Sequence, residues 1–558
     1  MLNWAATRPT GCQKHCHTKS CTTLFNTNWP QSSRKLALGI AGLVAGLPAF
    51  VEFIGTLGDA VLSRIKHEDD QYWKKLDLVI KVNKSQIQEI CHFIHKKGTA
   101  APEDLKYEVV QIFQAIRDTL TRLLTLFAGV GPGNQILRSA KLSAAQKKKI
   151  EAEVSLIEEW NKRILMRTLA FVSFGGGKLP PKMMTDSDDE HKTLALRKVE
   201  SLRDSIDESL KNARNESQVL LNQTAQQDGQ ALPDSQLMLQ TALDASEKPL
   251  VVEYRKYNDD AREHEIRYHH QVVCDVAKIL RQADPSFMGL LYCKGFVWDR
   301  LKCRFELHFP RPPGLHNPRT LLNLLTDPET KKKGVRHALN QRVALAKSIV
   351  TAIFFLHAAN FVHKQIRPDN VLVFEDELTA LVSTSSSGGS QASTKKLGYP
   401  YVLGKPFLVG FDNVRKADAA SLMLPEEDWK RNIYLSPERQ RLQRGDEFRM
   451  QHDIYSLGVV LIEIAYWASF QDKGSTKLGH IVWKGSILRT PEDLKKTYLG
   501  LATGAVSRLM GQKYADAVIA CLTGLQSESG LSFEDEDGIV IGTRYITEVI
   551  KKLEEISM

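Results

Sequence analysis

Between Gly177 and Gly289 the chain has a single glycine, Gly229. A stretch so poor in glycine holds no Gly-x-Gly-x-x-Gly loop, and without glycines backbone N–H groups cannot close over a row of phosphates. Cysteine is sparse too. Eight cysteines in 558 residues, scattered without a framework, exclude a disulfide scaffold and fit free thiols in a reducing cytosol. No secretory leader is legible: the first apolar run starts too far in and lacks a cleavage site.

What is present fits a soluble globular chain. Hydrophobic residues make up 42% and charged residues 25%, and 558 residues are enough for two or more domains. The net charge is +10, and the excess lies before residue 180. Local basicity of that kind points to an anionic surface, or to a solvated basic face with no partner.

Residues 1–35 read as a disordered polar extension. Cys12, His15, Cys16, His17 and Cys21 crowd together there, but their spacing matches no pair-and-pair zinc module. The apolar run that follows carries Leu36, Gly42, Leu43, Val44, Gly46, Phe50 and Phe53 and approaches the ~20 residues of a membrane span. Gly42-x-x-x-Gly46 is a close-packing pattern for helices. Pro48 and Glu52 oppose a permanent span, so a buried first helix of a soluble bundle is the competing reading.

Amphipathic helices come next. Leu105, Val109, Ile112, Phe113, Ile116, Leu120, Leu123, Leu124 and Phe127 form one stripe at three- and four-residue steps, opened by Pro102 and ended by glycines at 129–133. Further helices are expected over 72–96 and 142–170. Residues 36–180 thus form a helical bundle, and 181–248 a brace helix (194–210) and linker. A Ser/Gly-rich insertion at 383–393 reads as a surface loop.

The segment Val362-His-Lys-Gln-Ile-Arg-Pro-Asp-Asn-Val-Leu-Val-Phe-Glu375 resembles a protein-kinase catalytic loop. His363 and Asn370 hold their places, Lys364 replaces Arg, and Gln365 stands where the family has its basic Asp. Phe407-Leu-Val-Gly-Phe-Asp412 resembles the strand and Asp-Phe-Gly element, with Gly410 in place of the metal-binding carboxylate. Tyr434-Leu-Ser-Pro-Glu438 and Asp453-Ile-Tyr-Ser-Leu-Gly-Val-Val-Leu461 resemble the end of the activation segment and the helix after it.

The resemblance implies a Glu438–Arg544 ion pair, and Asp453 bracing the loop from below. It also makes Pro249 to Tyr257 the strand carrying the phosphate-pairing cation, Arg255 or Lys256, with Glu263 or Glu265 as its partner on the next helix. A solvated strand residue is the alternative for Lys256. Asn370 is left either to hold an ion or to hydrogen-bond its own loop. The implied fold is a bilobal α+β kinase-like domain over 249–558, with an N-lobe at 249–313 and a C-lobe at 320–558. It lacks base, metal carboxylate and glycine loop, so it is not expected to be an enzyme; no cofactor is required, and ATP binding is left open.

An apolar Gly-rich helix, a helical bundle and then a degenerate kinase domain resemble the fungal HeLo-domain (prion-inhibition and propagation) proteins. The layout is similar to that of mixed-lineage kinase domain-like proteins. That resemblance implies a cytoplasmic, pseudokinase-regulated cell-death or incompatibility protein, recruited to the plasma membrane on activation. It would oligomerise with itself on an anionic membrane surface, respond to an upstream activator, and bind no nucleic acid. The extra residues before the apolar run, and the lack of an amyloid-forming repeat, depart from the family pattern. A signalling scaffold with a partner-binding pseudokinase and an atypical active kinase are the alternatives.

Overall fold

The computed structural model describes residues 103–128, 143–174, 218–222, 229–240 apart from 234, 249–328, 337–358, 361–376, 401–411, 415–416, 429–441, 448–472, 477–525 and 539–556, with scattered residues between 52 and 90. The expected extension 1–35, the membrane-segment residues from Leu36 to Phe53, the brace helix, the 383–393 insertion and Asp412 lie outside the described residues. The described residues form a fold of mixed helix and small antiparallel sheets.

The N-terminal part is helical. Helix α1 (Glu103–Ala128) buries Val109, Ile112, Phe113, Ile116, Leu120 and Leu123, and helix α2 (Ala144–Phe174) buries Ile150, Val154, Ile157, Ile164 and Leu165 against it. Each such side chain contributes roughly 1.5–3 kcal/mol by leaving water. The ion pairs Arg122–Glu153 and Glu108–Arg167 run in opposite order along the two helices, so α1 and α2 are antiparallel. A reciprocal cap starts α2: the Gln146 N–H donates to Ser143 Oγ, and the Ser143 N–H donates to Gln146 Oε1. Helical residues Ile80, Ile87 and Ile90 join the same core. One polar link crosses it, Asn161 Nδ2 donating to Asn83 Oδ1 at 2.7 Å.

A five-stranded antiparallel sheet follows in the order β1-β2-β3-β5-β4. Its strands are β1 (Gln230–Ala231), β2 (Leu237–Gln240), β3 (Leu250–Lys256), β4 (Gly295–Asp299) and β5 (Arg304–Pro310). The first two fall inside 181–248, which the sequence reading made brace and linker; the sheet begins before residue 249. They are two and four residues long, too short for alternation to mark them. Helix α3 (Glu263–Leu280) lies between β3 and β4 in sequence and buries Val273, Val276, Ala277, Ile279 and Leu280.

The remainder is helical around a small sheet of order β6-β8-β9, made of β6 (Leu315–Thr320), β8 (Val371–Asp376) and β9 (Lys405–Leu408). Strand β7 (Phe361–Val362) pairs with Arg415–Lys416. Helices α4 (Leu339–Ala358) and α5 (Met450–Tyr466) form the core of this part. Among the described residues α4 is the one helix long and apolar enough to cross a membrane, and most of its apolar side chains are buried inside the fold. The chain ends in a continuous helix whose middle, Tyr545–Ile550, is π-helical; Tyr545 donates to the Val350 carbonyl at 3.0 Å.

Helix α5 carries an unusual buried acid. Glu463 Oε1 accepts from Tyr434 Oη, Ser469 Oγ and the Phe470 N–H, while Oε2 has no hydrogen-bond partner. Burial outweighs these donors and pushes the carboxyl up to about 8, so the folded protein holds it neutral. A folded-state value above the unfolded one means stability that is full at acid pH and lost as pH rises from about 4.5 through 8. Glu463→Gln, a neutral isostere, is therefore expected to match wild type in Tm at pH 5 and exceed it at pH 9. A constant Tm difference across that range would remove the neutral-acid assignment.

Candidate functional site

The candidate site lies between the two sheets and is built from β3, the loop after β7 and the segment after β9. The loop is fixed from beneath by Asp453, which is 1% exposed. Its Oδ2 accepts from the His363 N–H at 2.6 Å and its Oδ1 from the Lys364 N–H at 2.8 Å, with His357 Nε2 at 3.3 Å. Burial alone would raise this carboxyl, but His357, His363 and the amide donors more than offset it and hold it below the usual range.

His363 is fully buried and held at both nitrogens. Nε2 donates to the Val409 carbonyl at 3.0 Å, which leaves Nδ1 to accept from the Gln365 N–H at 3.3 Å. The ring lies tilted against Phe411, with centroids 4.7 Å apart. Lys364 has φ of 66° and turns its ammonium inward over Phe448; burial and the nearby Arg439 lower it to about 8. Gln365 is 8% exposed, and its carbonyl accepts from Asn370 Nδ2 at 2.9 Å. Asn370 thus makes the hydrogen bond expected within its own loop.

Position 410 has no room for a side chain of any kind. Its φ is 76°, and a Cβ there would lie 2.2 Å from Asn370 Oδ1. Any side chain needs both a left-handed backbone and displacement of Asn370. Its N–H donates instead to Glu253 Oε2 at 3.1 Å.

Glu253 is the residue the sequence reading missed. Positions 253 and 255 share one face of β3, opposite Leu307 and Phe305, and on that face Arg255 Nη2 pairs with Glu253 Oε1 at 2.9 Å. Both are buried. The expected partners on α3 do not serve: Glu263 and Glu265 are exposed at its first turn, Glu265 accepts the Arg262 N–H, and Glu263 faces Arg267 at 3.9 Å. Lys256 is exposed on the other face of the strand, opposite Arg304. The signal available was the two-residue period of a strand, which puts an acid two positions before the cation beside it.

The expected Glu438–Arg544 pair is also corrected. Glu438 pairs with Lys495 at 3.1 Å, because the helix Pro491–Leu501 packs beside Pro437–Arg441 and brings a lysine nearer. Arg544 Nη1 donates to the Leu525 carbonyl at 2.8 Å.

A second constellation joins the N-terminal helices to the end of the chain. Arg167, 3% exposed on α2, donates Nε to Glu108 Oε2 at 3.0 Å and Nη2 to Glu554 Oε2 at 2.9 Å. Lys551 closes the ring onto Glu108 at 2.9 Å, and Arg163 donates to the Glu554 carbonyl at 3.3 Å. Lys162 and Lys347 face the same small space; burial lowers both, against the pull of Glu554 and Glu159. Chemically this is a clasp of alternating charge between two parts of the chain. A scan against models of known protein families finds no match for the chain, and a search of curated proteins finds none either.

Proposed function

We propose that the chain is a catalytically silent, protein-kinase-like regulator whose C-terminal part gates the N-terminal helices, the whole acting as a membrane-active signalling or cell-death protein. The kinase-like half of the reading is supported by the strand order with α3 inserted after β3, and by the braced loop before β8. Silence is supported by Gln365, an amide that takes up no proton near neutral pH, since a positioned base alone contributes ~10²–10⁴-fold. The residues present do not fit a metal nucleotide. Gly410 offers no carboxylate, Asn370 is turned to Gln365, and the β1–β2 connection holds no glycine between Gly229 and β2.

The observation that carries the gating is the clasp, in which Arg167 bridges Glu108 and Glu554. Membrane action rests on the apolar Gly42/Gly46 run and on basic residues near the surface, each contributing roughly 1 kcal/mol on anionic lipid. The test is dye release from phosphatidylserine-containing liposomes. Full-length Glu554→Lys, which puts a cation against Arg167, is expected to release dye at least about tenfold faster than wild type, since one charge reversal in a partly buried pair exceeds the 1.4 kcal/mol of a tenfold shift. Adding Val44→Asp should abolish that release. Silence from a folded Glu554→Lys protein would discard membrane action and leave the scaffold reading.

A further inference from the structure

The five-stranded sheet is wider by one short segment than its strand order shows. Residues 218–222 lie along the outer edge of β4, where Leu220 and Phe296 form a parallel bridge. The Phe296 N–H donates to the Val219 carbonyl and the Leu221 N–H donates to the Phe296 carbonyl, each at 2.8 Å. Arg281, at the C-terminal end of α3, donates Nη1 to the Gln218 carbonyl. Side chains alternate along the segment as on a strand: Val219 is 1% exposed and joins the core, Leu221 is half-buried, and Leu220 between them is 43% exposed.

Gly295 is shaped to this contact. Its φ is 149°, and a Cβ there would collide with the Val219 carbonyl and press on the Leu221 side chain. A glycine within a strand marks a place where another backbone comes close, and here that backbone is residues 219–221. The edge thus has the parts of a strand-addition site. The main-chain groups of Phe296 supply affinity, Gly295 supplies a step free of side chain, and the core beneath takes one apolar side chain. Left bare, such an edge is a template for an extended segment that reaches it.

We infer that the outer edge of β4, with Arg281 at its rim, is a docking groove for an extended peptide with apolar residues two positions apart, and that residues 218–222 of the same chain are its resident occupant. Being tethered, the resident segment is present at high effective concentration and keeps the groove closed to other strands. The contact also fixes a point of the chain between α2 and β1 to the end of α3. The assignment rests on this edge alone and stands whether or not the chain acts on membranes.

Fluorescence anisotropy of a labelled peptide of residues 216–224 tests it against full-length chains. The chains are wild type, Val219→Ser/Leu221→Ser, and Leu221→Pro, which removes the N–H that meets Phe296. In either variant the resident segment loses its hold, so the peptide should bind saturably and at least about tenfold tighter than to wild type. The same peptide with serine in place of Val219 and Leu221 should bind at least about tenfold weaker than the native peptide. Arg281→Ala, which truncates an exposed side chain, should weaken binding to a vacated chain at least about threefold at unchanged Tm, since it removes one hydrogen bond to the peptide. Saturable binding to a folded vacated chain, with preference for the native peptide and dependence on Arg281, upholds the groove. No saturable binding, equal binding of the serine peptide, equal binding by wild type and vacated chains, or unchanged affinity with Arg281→Ala overturns it. Loss of fold in both vacated variants overturns it as well, since the segment would then be part of the core and not an occupant.

Discussion

Replacing Arg167 with alanine is expected to free helices α1 and α2 from the end of the chain while the C-terminal part stays folded. The side chains of Arg167, Glu108 and Glu554 are 3%, 13% and 11% exposed, so water screens the triad weakly. Removing the central cation leaves two carboxylates facing each other, and breaking a buried pair in this way costs roughly 3–5 kcal/mol. At 1.4 kcal/mol per decade that is about 10²–10⁴ in the docking equilibrium. Amide hydrogen exchange is the measurement. Protection should fall by that factor in Val109–Leu123 of α1 and hold in Ile454–Ile464 of α5. Equal loss in both regions would show a single cooperative unit and no separable clasp.

The clasp carries a pH dependence of defined sign. Burial alone raises the Glu108 carboxyl, but Arg167 and Lys551 more than offset it and hold it below its ordinary value of 4.5. A depressed acid contributes stability above its unfolded value and loses it as pH falls through the folded one. Docking should therefore be full at neutral pH and weaken below about 4.5. Alkaline conditions act through other groups: Lys162 is lowered by burial, so it loses its proton earlier in the folded chain than free lysine does.

The sequence spoke most clearly where function demands a fixed order of letters. Motif order put Asp453 beneath the loop of His363 and Gln365, and the carboxylate meets that loop's amides. Helix α1 was legible from its stripe because seven turns of one amphipathic face leave little ambiguity. Elsewhere local signals misled. The motif pattern places the partner of Arg255 on the following helix, whereas it sits two residues back on the same strand. The strands Gln230–Ala231 and Leu237–Gln240 are too short to show a period. The clasp had no sequence signal at all, since Arg167 and Glu554 are separated by 387 positions and each reads locally as an ordinary helix-surface charge.

Asp453→Ala is the substitution expected to destabilise the C-terminal part most. Its carboxylate is the acceptor for two buried amides, His363 N–H and Lys364 N–H, and it faces His357. Each buried donor left unsatisfied costs about 1–3 kcal/mol, so the pair of them amounts to roughly 2–6 kcal/mol, enough to unfold a domain of ordinary stability. Asp453→Asn keeps one acceptor oxygen but turns an NH₂ toward an amide that also donates, so it should fall between alanine and wild type. The charge itself matters as well. The Asp453 carboxyl is held below the usual range, so its contribution is full above about pH 4 and is lost as pH falls through the folded value. Chemical denaturation at pH 7 and pH 3 separates the two effects: the gap between wild type and Asp453→Asn should narrow on acidification, while alanine stays lowest at both. A gap that holds constant with pH would mean that the loop is held by the shape of its acceptor and not by its charge.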